Sequence, residues 1–278
     1  ASTDVLRTPA VPAPGQSPAG GYFKPWRRDL RGVTVAAASP RLVAGTPAPE
    51  RFTVREEGVA FELSLVEGYS TGLFLDQRDN RRRLRTGHVA GDFALYSHRD
   101  DRQPEVLNGF AYTCGFSVAA ALGGARTTSL DLSRKYLDWG RRNFRLNGLD
   151  PAAHDFIYGD AFDWLRRLGR KGRRFDVIVL DPPTFSRSPG HGDFRSDRDY
   201  GELVSLALPL LAADGVLLAS TNTARLAPAA FLDQVRAACQ AAGRCISQEH
   251  YAPQPPDFPV SREEPAYLKT VWLRVATP

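Results

Sequence analysis

Lysine, cysteine and long hydrophobic runs are scarce in this sequence of 278 residues. Lysine occurs only as Lys24, Lys135, Lys171 and Lys269, so arginine supplies most of the net charge of +5. No run of 18 apolar residues indicates a membrane-spanning helix. The sequence does not begin with a basic stretch followed by an apolar core, and so does not resemble a secretory signal. We therefore expect an intracellular, cytoplasmic protein.

The three cysteines are Cys114, Cys239 and Cys245, and none has a CxxC partner. An odd count without that spacing favours neither a disulfide framework nor a zinc site. We expect no metal and predict that the cysteines are small buried apolar groups.

The excess of arginine gives an isoelectric point of about 9.3. Arginine suits planar, bidentate contacts with phosphate, so a polyanionic partner such as nucleic acid is one explanation. A GC-rich genome that encodes arginine in place of lysine is the other, and composition does not separate the two.

The chain is predicted to have three parts. Residues 1–50 are a Pro/Ala-rich extension that cannot easily bury a core of its own. It contains Tyr22, Phe23, Trp26 and Arg27–Arg28, which are predicted to be an anchor packed back on the protein, with a nucleic-acid-facing patch as the alternative. Residues 51–100 form a β-hairpin, over 51–66, and a helical segment near Asp79–Leu84. Residues 101–278 form the main domain.

In the main domain, segments typical of strands alternate with segments typical of helices, which indicates βαβ units. The apolar run FDVIVL is typical of a central parallel strand covered on both faces. We therefore predict an α/β fold with a Rossmann-like, doubly wound, mostly parallel seven-stranded sheet and an N-terminal β-hairpin extension. The predicted strands are 105–110, 126–131, 154–158, 175–180, 214–220, 244–249 and 267–275, the last antiparallel to its neighbour. The predicted helices are 115–122, 133–147, 160–169, 199–211 and 228–241.

Three of these strands end in segments suited to a ligand at the carboxyl edge of the sheet. The turn from Asn108 to Gly115 carries glycine before a helix, which lets the backbone approach a ligand closely, although many α/β proteins have such a turn. Asp131 ends the next strand, where an acidic residue can accept hydrogen bonds from ribose hydroxyls. Asp160 follows the strand 154–158, where it can accept from an adenine amino group. For both aspartates, capping of the following helix is the alternative, with Ser133 as a further candidate cap.

The sharpest motif is Asp181-Pro182-Pro183-Thr184-Phe185, directly after FDVIVL. The two prolines end the strand and fix its exit direction, which places Asp181 at the sheet edge. Phe185 is then available to stack on a flat base. A simple proline turn is the alternative.

Together these segments resemble the motif series of class I S-adenosylmethionine (SAM)-dependent methyltransferases, and more closely those of 23S rRNA methyltransferases. The quoted stretches are Thr71-Gly-Leu-Phe-Leu-Asp-Gln-Arg78, Leu122-Gly-Gly-Ala-Arg-Thr-Thr128, Asp131–Trp139, Asn143–Leu149 and Asp181–Ser186. The guanine-N7 half of the bifunctional 23S rRNA guanine methyltransferases is the most similar group. The resemblance covers about residues 60–225.

The resemblance implies SAM as cofactor, ribosomal RNA as partner and a role for each motif. Asp131 is expected to bind the ribose of SAM and Asp160 its adenine. The 112–116 turn is expected to run past the methionine portion of SAM. Gln77 and Arg78 are expected to reach the SAM carboxylate or to close the site. The expected cofactor residues are Gln77, Arg78, Asn108, Tyr112, Thr113, Gly115, Phe116, Asp131, Leu132, Asp160 and Ala161. Asp181, Pro182, Pro183 and Phe185 are expected to frame the target base.

The cysteines bear on the atom that is methylated. Methylation of a pyrimidine at C5 needs a cysteine nucleophile, and the loop where related enzymes carry it reads Ser220-Thr-Asn-Thr223 here. Guanine N7 already has a lone pair, so positioning and exclusion of water suffice. We therefore expect N-methylation, preferably at guanine N7.

Three polar or basic segments remain. Residues 186–199, with His191, are predicted to be a mobile loop over the substrate. Arg81–Arg83 and Arg85 are predicted either to hold RNA phosphates or to form a solvated helix face. Residues 166–174 are expected at the opposite edge of the sheet.

Other functions stay open: a SAM-dependent enzyme acting on a small molecule or a protein, a non-catalytic SAM- or RNA-binding module, and an NAD(P)-dependent dehydrogenase. The absence of GxGxxG disfavours the last.

Overall fold

The computed structural model describes residues 20–24, 33–68, 70–96, 102–188, 192–258, 260–261 and 266–276. The chain divides into two compact units, one of Ala1–Arg55 with Ala60–Leu73 and the other of Glu56–Val59 with Phe74–Pro278. No helix among the residues described is long and apolar enough to cross a membrane.

The Pro/Ala-rich stretch includes regular structure that its composition did not predict. Strands β1 (Gly21–Phe23) and β2 (Arg41–Ala44) pair antiparallel, and α1 (Val35–Ala38) lies between them in the chain. The Tyr22 hydroxyl accepts a hydrogen bond from the backbone N–H of Ala48 at 2.7 Å, which ties the two ends of the stretch together. Trp26 and Arg27–Arg28 lie outside the described residues.

The predicted hairpin is confirmed as β3 (Phe52–Glu56) and β4 (Val59–Leu63). Glu57 and Gly58 connect the strands with φ angles of 47° and 86°. Positive φ at both central residues is typical of a type I′ turn, whose twist matches that of the paired strands.

A short 3₁₀ turn (Leu75–Gln77) follows the hairpin and leads into α2 (Arg78–Thr86). The helix ends where Gly87 takes the left-handed conformation. Two short strands, β5 (His88–Ala90) and β6 (Phe93–Ala94), then pair antiparallel.

The main domain is built on a seven-stranded sheet, as predicted. Its strands are β7 (Glu105–Gly109), β8 (Arg126–Asp131), β9 (Asp155–Tyr158), β10 (Phe175–Leu180), β13 (Leu211–Thr221), β14 (Cys245–Tyr251) and β15 (Lys269–Ala276). Their order across the sheet is β14-β15-β13-β10-β7-β8-β9. Strand β15 is antiparallel to both neighbours, whereas the pairs from β13 to β9 are parallel. The carboxyl ends of the parallel strands therefore meet at one edge.

The helices cover both faces of this sheet. They are α3 (Gly115–Leu122), α4 (Arg134–Leu146), α5 (Ala161–Arg170), α6 (Ser196–Ala207) and α7 (Pro228–Ala241). Residues of β10 alternate between two buried clusters: Ile178 and Leu180 pack with α5, α6 and α7, while Val177 and Val179 pack with α3. This double burial explains the continuous apolar run of β10.

The segment after Phe185, which was predicted to be a loop, contains regular structure. Strands β11 (Phe185–Ser188) and β12 (Gly192–Arg195) form an antiparallel hairpin, and α6 begins directly after it, three residues before the predicted start. Phe194 is buried and its ring packs 6.2 Å from Phe110 and 5.6 Å from Phe162. One aromatic anchor thus orders a segment whose other side chains are polar. His191 lies outside the described residues.

Candidate functional site

The turn after β7 has an unusual backbone. Phe110, Tyr112 and Cys114 have φ angles of 60°, 50° and 63°, a left-handed conformation that costs non-glycine residues energy. The N–H groups of Ala111, Tyr112 and Cys114 donate to Leu130 O, Asp131 Oδ2 and Ala111 O, so these donors are used within the protein. Cys114, at the start of α3, gives the helix no side-chain cap. The backbone donors that suit an anionic or carboxylate group are therefore those of the first turn of α3.

Helix α4 supports this turn. The Asn143 amide donates to the carbonyl oxygen of Thr113 at 2.9 Å, where both residues are buried. Gly140 lies so close that a Cβ added there would be 2.2 Å from the Cys114 sulfur. The quoted motif around Asn143 hinted at this support, but the sequence did not show its partner.

A buried polar group lies beneath the turn. Asn108 Nδ2 donates to the Ser117 hydroxyl at 2.9 Å, and the Ser129 hydroxyl donates to the same oxygen at 2.8 Å. Asn108 is 1% exposed, and its Oδ1 finds no hydrogen-bond partner among the described residues. A buried carbonyl oxygen without a donor is costly, so this position suits a ligand or water that donates.

Asp131 holds the turn from the neighbouring strand. Its Oδ2 accepts from the Tyr112 N–H at 2.7 Å and its Oδ1 from the Ser133 N–H at 2.8 Å. Burial raises the pKa of Asp131, and these two backbone hydrogen bonds oppose the rise. Ser133, not Asp131, caps α4 by accepting from Tyr136 N. Asp131 therefore lies at the carboxyl edge of the sheet and does not cap the helix. Leu132 beside it is 42% exposed.

Asp160 caps α5, because its Oδ1 accepts from the Asp163 N–H at 3.1 Å. The capping alternative is thus correct, although one carboxylate has lone pairs for more than one donor. Ala161 is buried at the first position of the helix, and Tyr158, at the end of β9, is 48% exposed. Asp131 and Asp160 therefore follow adjacent parallel strands, with exposed apolar side chains beside each.

Asp181 follows β10 and is half-buried. Gln77 Nε2 donates to its Oδ2 at 3.1 Å and to the Ser220 hydroxyl at 2.8 Å. Burial raises the pKa of Asp181 to about 6, and the nearby Asp76 carboxylate adds to the rise, whereas hydrogen bonds from Ser220 and Gln77 oppose it. Asp181 is therefore a carboxyl group that changes charge near neutral pH.

The segment after Asp181 is fixed from two sides. Tyr200, which is buried, donates through its hydroxyl to Leu180 O and accepts from Ser220 N, both at 2.8 Å, so it joins the ends of β10 and β13. The Thr184 hydroxyl donates to Asn222 Oδ1 at 2.9 Å. Pro182 is buried, while Pro183 and Phe185 are exposed, with Phe185 at 51%. The Asp-Pro-Pro-Thr-Phe motif is thus a rigid loop with an exposed ring at its end.

The structure separates Gln77 from Arg78. Gln77 is buried and belongs to the Asp181 group, and its Oε1 accepts from Asn80 at 2.7 Å. Arg78 is half-buried and forms a bidentate ion pair with Asp257. Asp76, directly before Gln77, accepts a hydrogen bond from the Tyr267 hydroxyl at 3.0 Å.

The basic run of α2 is not a free phosphate-binding surface. Arg81 is buried in a bidentate pair with Glu56, and Arg85 donates to both the backbone and the side chain of Glu57. These arginines hold the β3–β4 turn. Arg173, in the second basic stretch, pairs with Glu105 at the start of β7, so that stretch lies at the opposite edge of the sheet, as predicted.

Several residues of the site gave no signal of their own in the sequence. Asp76 and Ser220 belong to quoted segments, but nothing showed that they would meet near Asp181. Tyr200 and Lys269 lie far from every motif, and Lys269 is fully buried with its ammonium group donating to Thr223 O at 2.6 Å. Among the described residues, no group of three or more His, Cys, Asp or Glu is placed to hold a metal ion.

Comparison with known proteins establishes the family. The sequence model of the S-adenosylmethionine-dependent methyltransferases matches residues 34–274. The chain belongs to this family. The predicted Rossmann-like methyltransferase fold is confirmed, and the family's cofactor is S-adenosylmethionine.

Curated relatives are named as ribosomal RNA methyltransferases. Ribosomal RNA large subunit methyltransferase K of Neisseria meningitidis is 41% identical over 177 residues, which are 63% of this chain and 46% of the relative. A ribosomal RNA large subunit methyltransferase of Deinococcus radiodurans is 34% identical over 236 residues, which are 84% of this chain and 54% of the relative. The chain thus spans about half the length of these relatives.

Solved structures share the fold. A putative methyltransferase complexed with SAH superimposes with a TM-score of 0.73 and 33% identity, over 84% of this chain and 58% of that one. A putative SAM-dependent methyltransferase from Streptococcus mutans gives a TM-score of 0.71 at 33% identity, with the same shares of the two chains.

Proposed function

We propose that this chain transfers a methyl group from S-adenosylmethionine to a guanine nitrogen of 23S ribosomal RNA, preferably N7. The observation that carries the proposal is the arrangement at the carboxyl edge of the sheet. Asp131, Asp160 and Asp181 follow three strands of one parallel array, so the cofactor residues and the acceptor residues face the same edge.

The residues present fit the cofactor. Asp131 is a carboxylate fixed by two backbone N–H groups, which suits the hydroxyl donors of a ribose. The unpartnered Oδ1 of Asn108 suits the donors of an ammonium group beneath the turn. Leu132 and Tyr158 offer exposed apolar surface beside Asp131 and Asp160 for a flat adenine. When bound, SAM supplies an electrophilic methyl group on its sulfonium.

Each cofactor residue then has a physical role in the proposal. In the 112–116 turn, the N–H groups of Gly115 and Phe116 at the start of α3 receive the carboxylate end of the cofactor, and Asp160 accepts from the adenine amino group. Gln77 orients Asp181 and does not contact the cofactor carboxylate, while Arg78 closes the site from α2. The proposed cofactor residues are Asn108, Tyr112, Thr113, Gly115, Phe116, Asp131, Leu132, Asp160 and Ala161.

Asp181, Pro182, Pro183 and Phe185 frame the acceptor base. The prolines hold Asp181 at the strand end, where its carboxylate accepts from N–H groups of a guanine, and Phe185 offers a ring for stacking. N7 attacks through its own lone pair, so the residues need only orient the base and exclude water. If an exocyclic amine were the acceptor, Asp181 would receive its proton.

The cysteines disfavour a pyrimidine C5 target. Cys114 and Cys239 are buried, and burial raises their pKa values to about 12 and about 11, which suppresses the nucleophilic thiolate. Cys245 is exposed but begins β14, at the edge opposite to Asp181. No cysteine among the described residues follows Asp181 or Ser220 at the site edge.

The choice of ribosomal RNA rests on the names of the relatives and on the excess of arginine. We further propose a cytoplasmic location, where that RNA is found. The division into an extension (1–50), a hairpin subdomain (51–100) and a methyltransferase domain (101–278) is kept as a proposal for the organisation of the chain.

A fractionation assay tests the class of substrate. The protein is incubated with radiolabelled SAM and an extract from a strain that lacks it, and label is counted in RNA, protein and small molecules. The proposal requires label in RNA that is absent with Asp181→Ala. Label in protein or small molecules alone would support the alternative methyltransferase. Retained SAM binding by Asp181→Ala shows that the variant is folded.

A further inference from the structure

The surface most suited to an RNA backbone is on α4, not on the basic run of α2. This helix carries five basic residues and one acidic residue, a net charge of +4 within 13 residues of a chain whose total is +5. The five are Arg134, Lys135, Arg141, Arg142 and Arg145. Arg141 pairs with Asp138 of the same helix at 2.7 Å, whereas on α2 Arg81 pairs with Glu56 and Arg85 with Glu57, which lie outside the helix.

The basic side chains lie on the outer side of α4. Leu137, Gly140 and Phe144 face the sheet and are buried, at the spacing of one helix face. Arg134, Arg141 and Arg145 recur at intervals of seven and four, so they form one stripe, which flanks this buried face on the side of β9. The stripe is about 16 Å long, from the 1.5 Å rise per residue.

Aromatic rings of the edge strand β9 interleave with this stripe. The Arg134 guanidinium lies 4.5 Å from the centre of the Tyr158 ring, and that of Arg141 lies 4.5 Å from the centre of Phe156. Guanidinium groups stacked on rings keep their N–H donors around the rim, where phosphate oxygens bind in a bidentate manner. Because Tyr158 is placed beside the adenine in the proposed cofactor site, the stripe contacts RNA through its cations.

The stripe is continuous with the proposed active site. Arg134 is three residues after Asp131, and Tyr158 is two residues before Asp160. The stripe therefore begins at the carboxyl edge of the sheet and runs away from it along α4.

We propose that α4 and β9 bind the phosphate backbone of the RNA substrate beside the nucleotide that is methylated. This inference rests on the proposed RNA substrate. It assigns RNA binding to exposed residues that contact neither the Asp181 group nor the polar group around Asn108.

The test compares two triple variants of equal charge. Arg134→Gln/Lys135→Gln/Arg145→Gln changes three exposed residues of α4, and Arg170→Gln/Lys171→Gln/Arg174→Gln changes two exposed arginines and one exposed lysine at the other edge of the sheet. Binding of transcribed 23S rRNA is measured by filter retention over about 50–200 mM salt, with SAM binding as the folding control.

The α4 variant is expected to bind RNA about tenfold more weakly and to lose about 2–3 from the slope of log affinity against log salt, as three phosphate contacts are lost. The matched variant is expected to change by less than about twofold. Equal losses in both variants, or none in the α4 variant, overturn the inference while RNA binding by the unsubstituted protein stands. If the unsubstituted protein neither binds nor methylates RNA, the proposed function fails as well.

Discussion

The side-chain amide of Gln77 donates to Oδ2 of Asp181 at 3.1 Å, although the two residues are 104 positions apart. The same amide nitrogen donates to Ser220 at 2.8 Å. One buried side chain thus joins the segment before α2 to the ends of two central strands. Since the hydrogen bond from Gln77 favours the ionised form of Asp181, it also sets the pH at which this carboxyl is charged.

Substitution of Gln77 by methionine is expected to raise the pH midpoint of methyl transfer. Burial places the pKa of Asp181 at about 6, and loss of the donor removes one of the interactions that lower it. Asp181 accepts hydrogen bonds through both oxygens, and most strongly, when it is ionised above its pKa. Activity of Gln77→Met therefore falls more at pH 6.5 than at pH 8, in a profile measured with saturating SAM. An unchanged midpoint with a uniform loss of rate would assign Gln77 a purely structural role.

Asp181→Asn is expected to stabilise the fold while it abolishes methyl transfer. The pKa of Asp181 is raised in the folded state, so at neutral pH the charged group opposes folding, and its removal gains about 1–2 kcal/mol in the free energy of unfolding. The gain shrinks as the pH falls through 6, where the native carboxyl takes up its proton, and is lost below about pH 4. Urea unfolding at several pH values measures it. Equal stability at pH 8 would contradict the account.

Gly140→Ala is expected to destabilise the protein by about 1–3 kcal/mol, as is typical of overpacking. The new methyl group would lie 2.2 Å from the sulfur of Cys114 and 2.9 Å from its Cβ. Gly169→Ala is the matched control, because in helix α5 the nearest atom is 3.9 Å away. That control is expected to be neutral or stabilising. In a Cys114→Gly background, which removes both atoms, the Gly140→Ala penalty should disappear in thermal unfolding.

Lys269 is expected to make stability depend on pH above neutrality. Burial lowers its pKa to about 8, so between that pH and the ordinary value of 10.5 the unfolded chain holds a proton that the folded chain has lost. Stability therefore rises with pH in this window. The difference in unfolding free energy between the native protein and Lys269→Met should grow by about 1–2 kcal/mol from pH 7.5 to 9.5. A constant difference would show that Lys269 is not buried as an ammonium group.

The seven strands of the main sheet were predictable because their signals are local. FDVIVL is apolar throughout since β10 is covered on both faces, and Asn147-Gly148 ends α4 where Gly148 takes a φ of 69°. The hairpin likewise follows from Gly58 in its turn, which takes a φ of 86°. In each case the residues that specify the element lie within it.

The hairpin of β11 and β12 and the partners of Asp181 were not predictable in the same way. Phe194 orders the hairpin by packing on Phe110 of the turn after β7 and on Phe162 of helix α5. By resemblance, Gln77 was expected to reach the SAM carboxylate or to close the site. In the structure its side-chain amide donates a hydrogen bond to Asp181. The sequence of α2 shows a run of arginines but not their acidic partners. Glu56 and Glu57 form ion pairs with this run only because the hairpin turn folds against α2. Such contacts depend on tertiary structure, which a local pattern does not encode.

The most direct test of the central claim is to identify the methylated nucleoside. 23S rRNA from a strain lacking this protein is incubated with radiolabelled SAM and either the native protein or Asp181→Asn, then digested to nucleosides and separated. The account predicts label in 7-methylguanosine with the native protein and none with Asp181→Asn, although both bind SAM. Clear SAM binding without label in any guanosine, on naked RNA or on ribosomal particles, would contradict it.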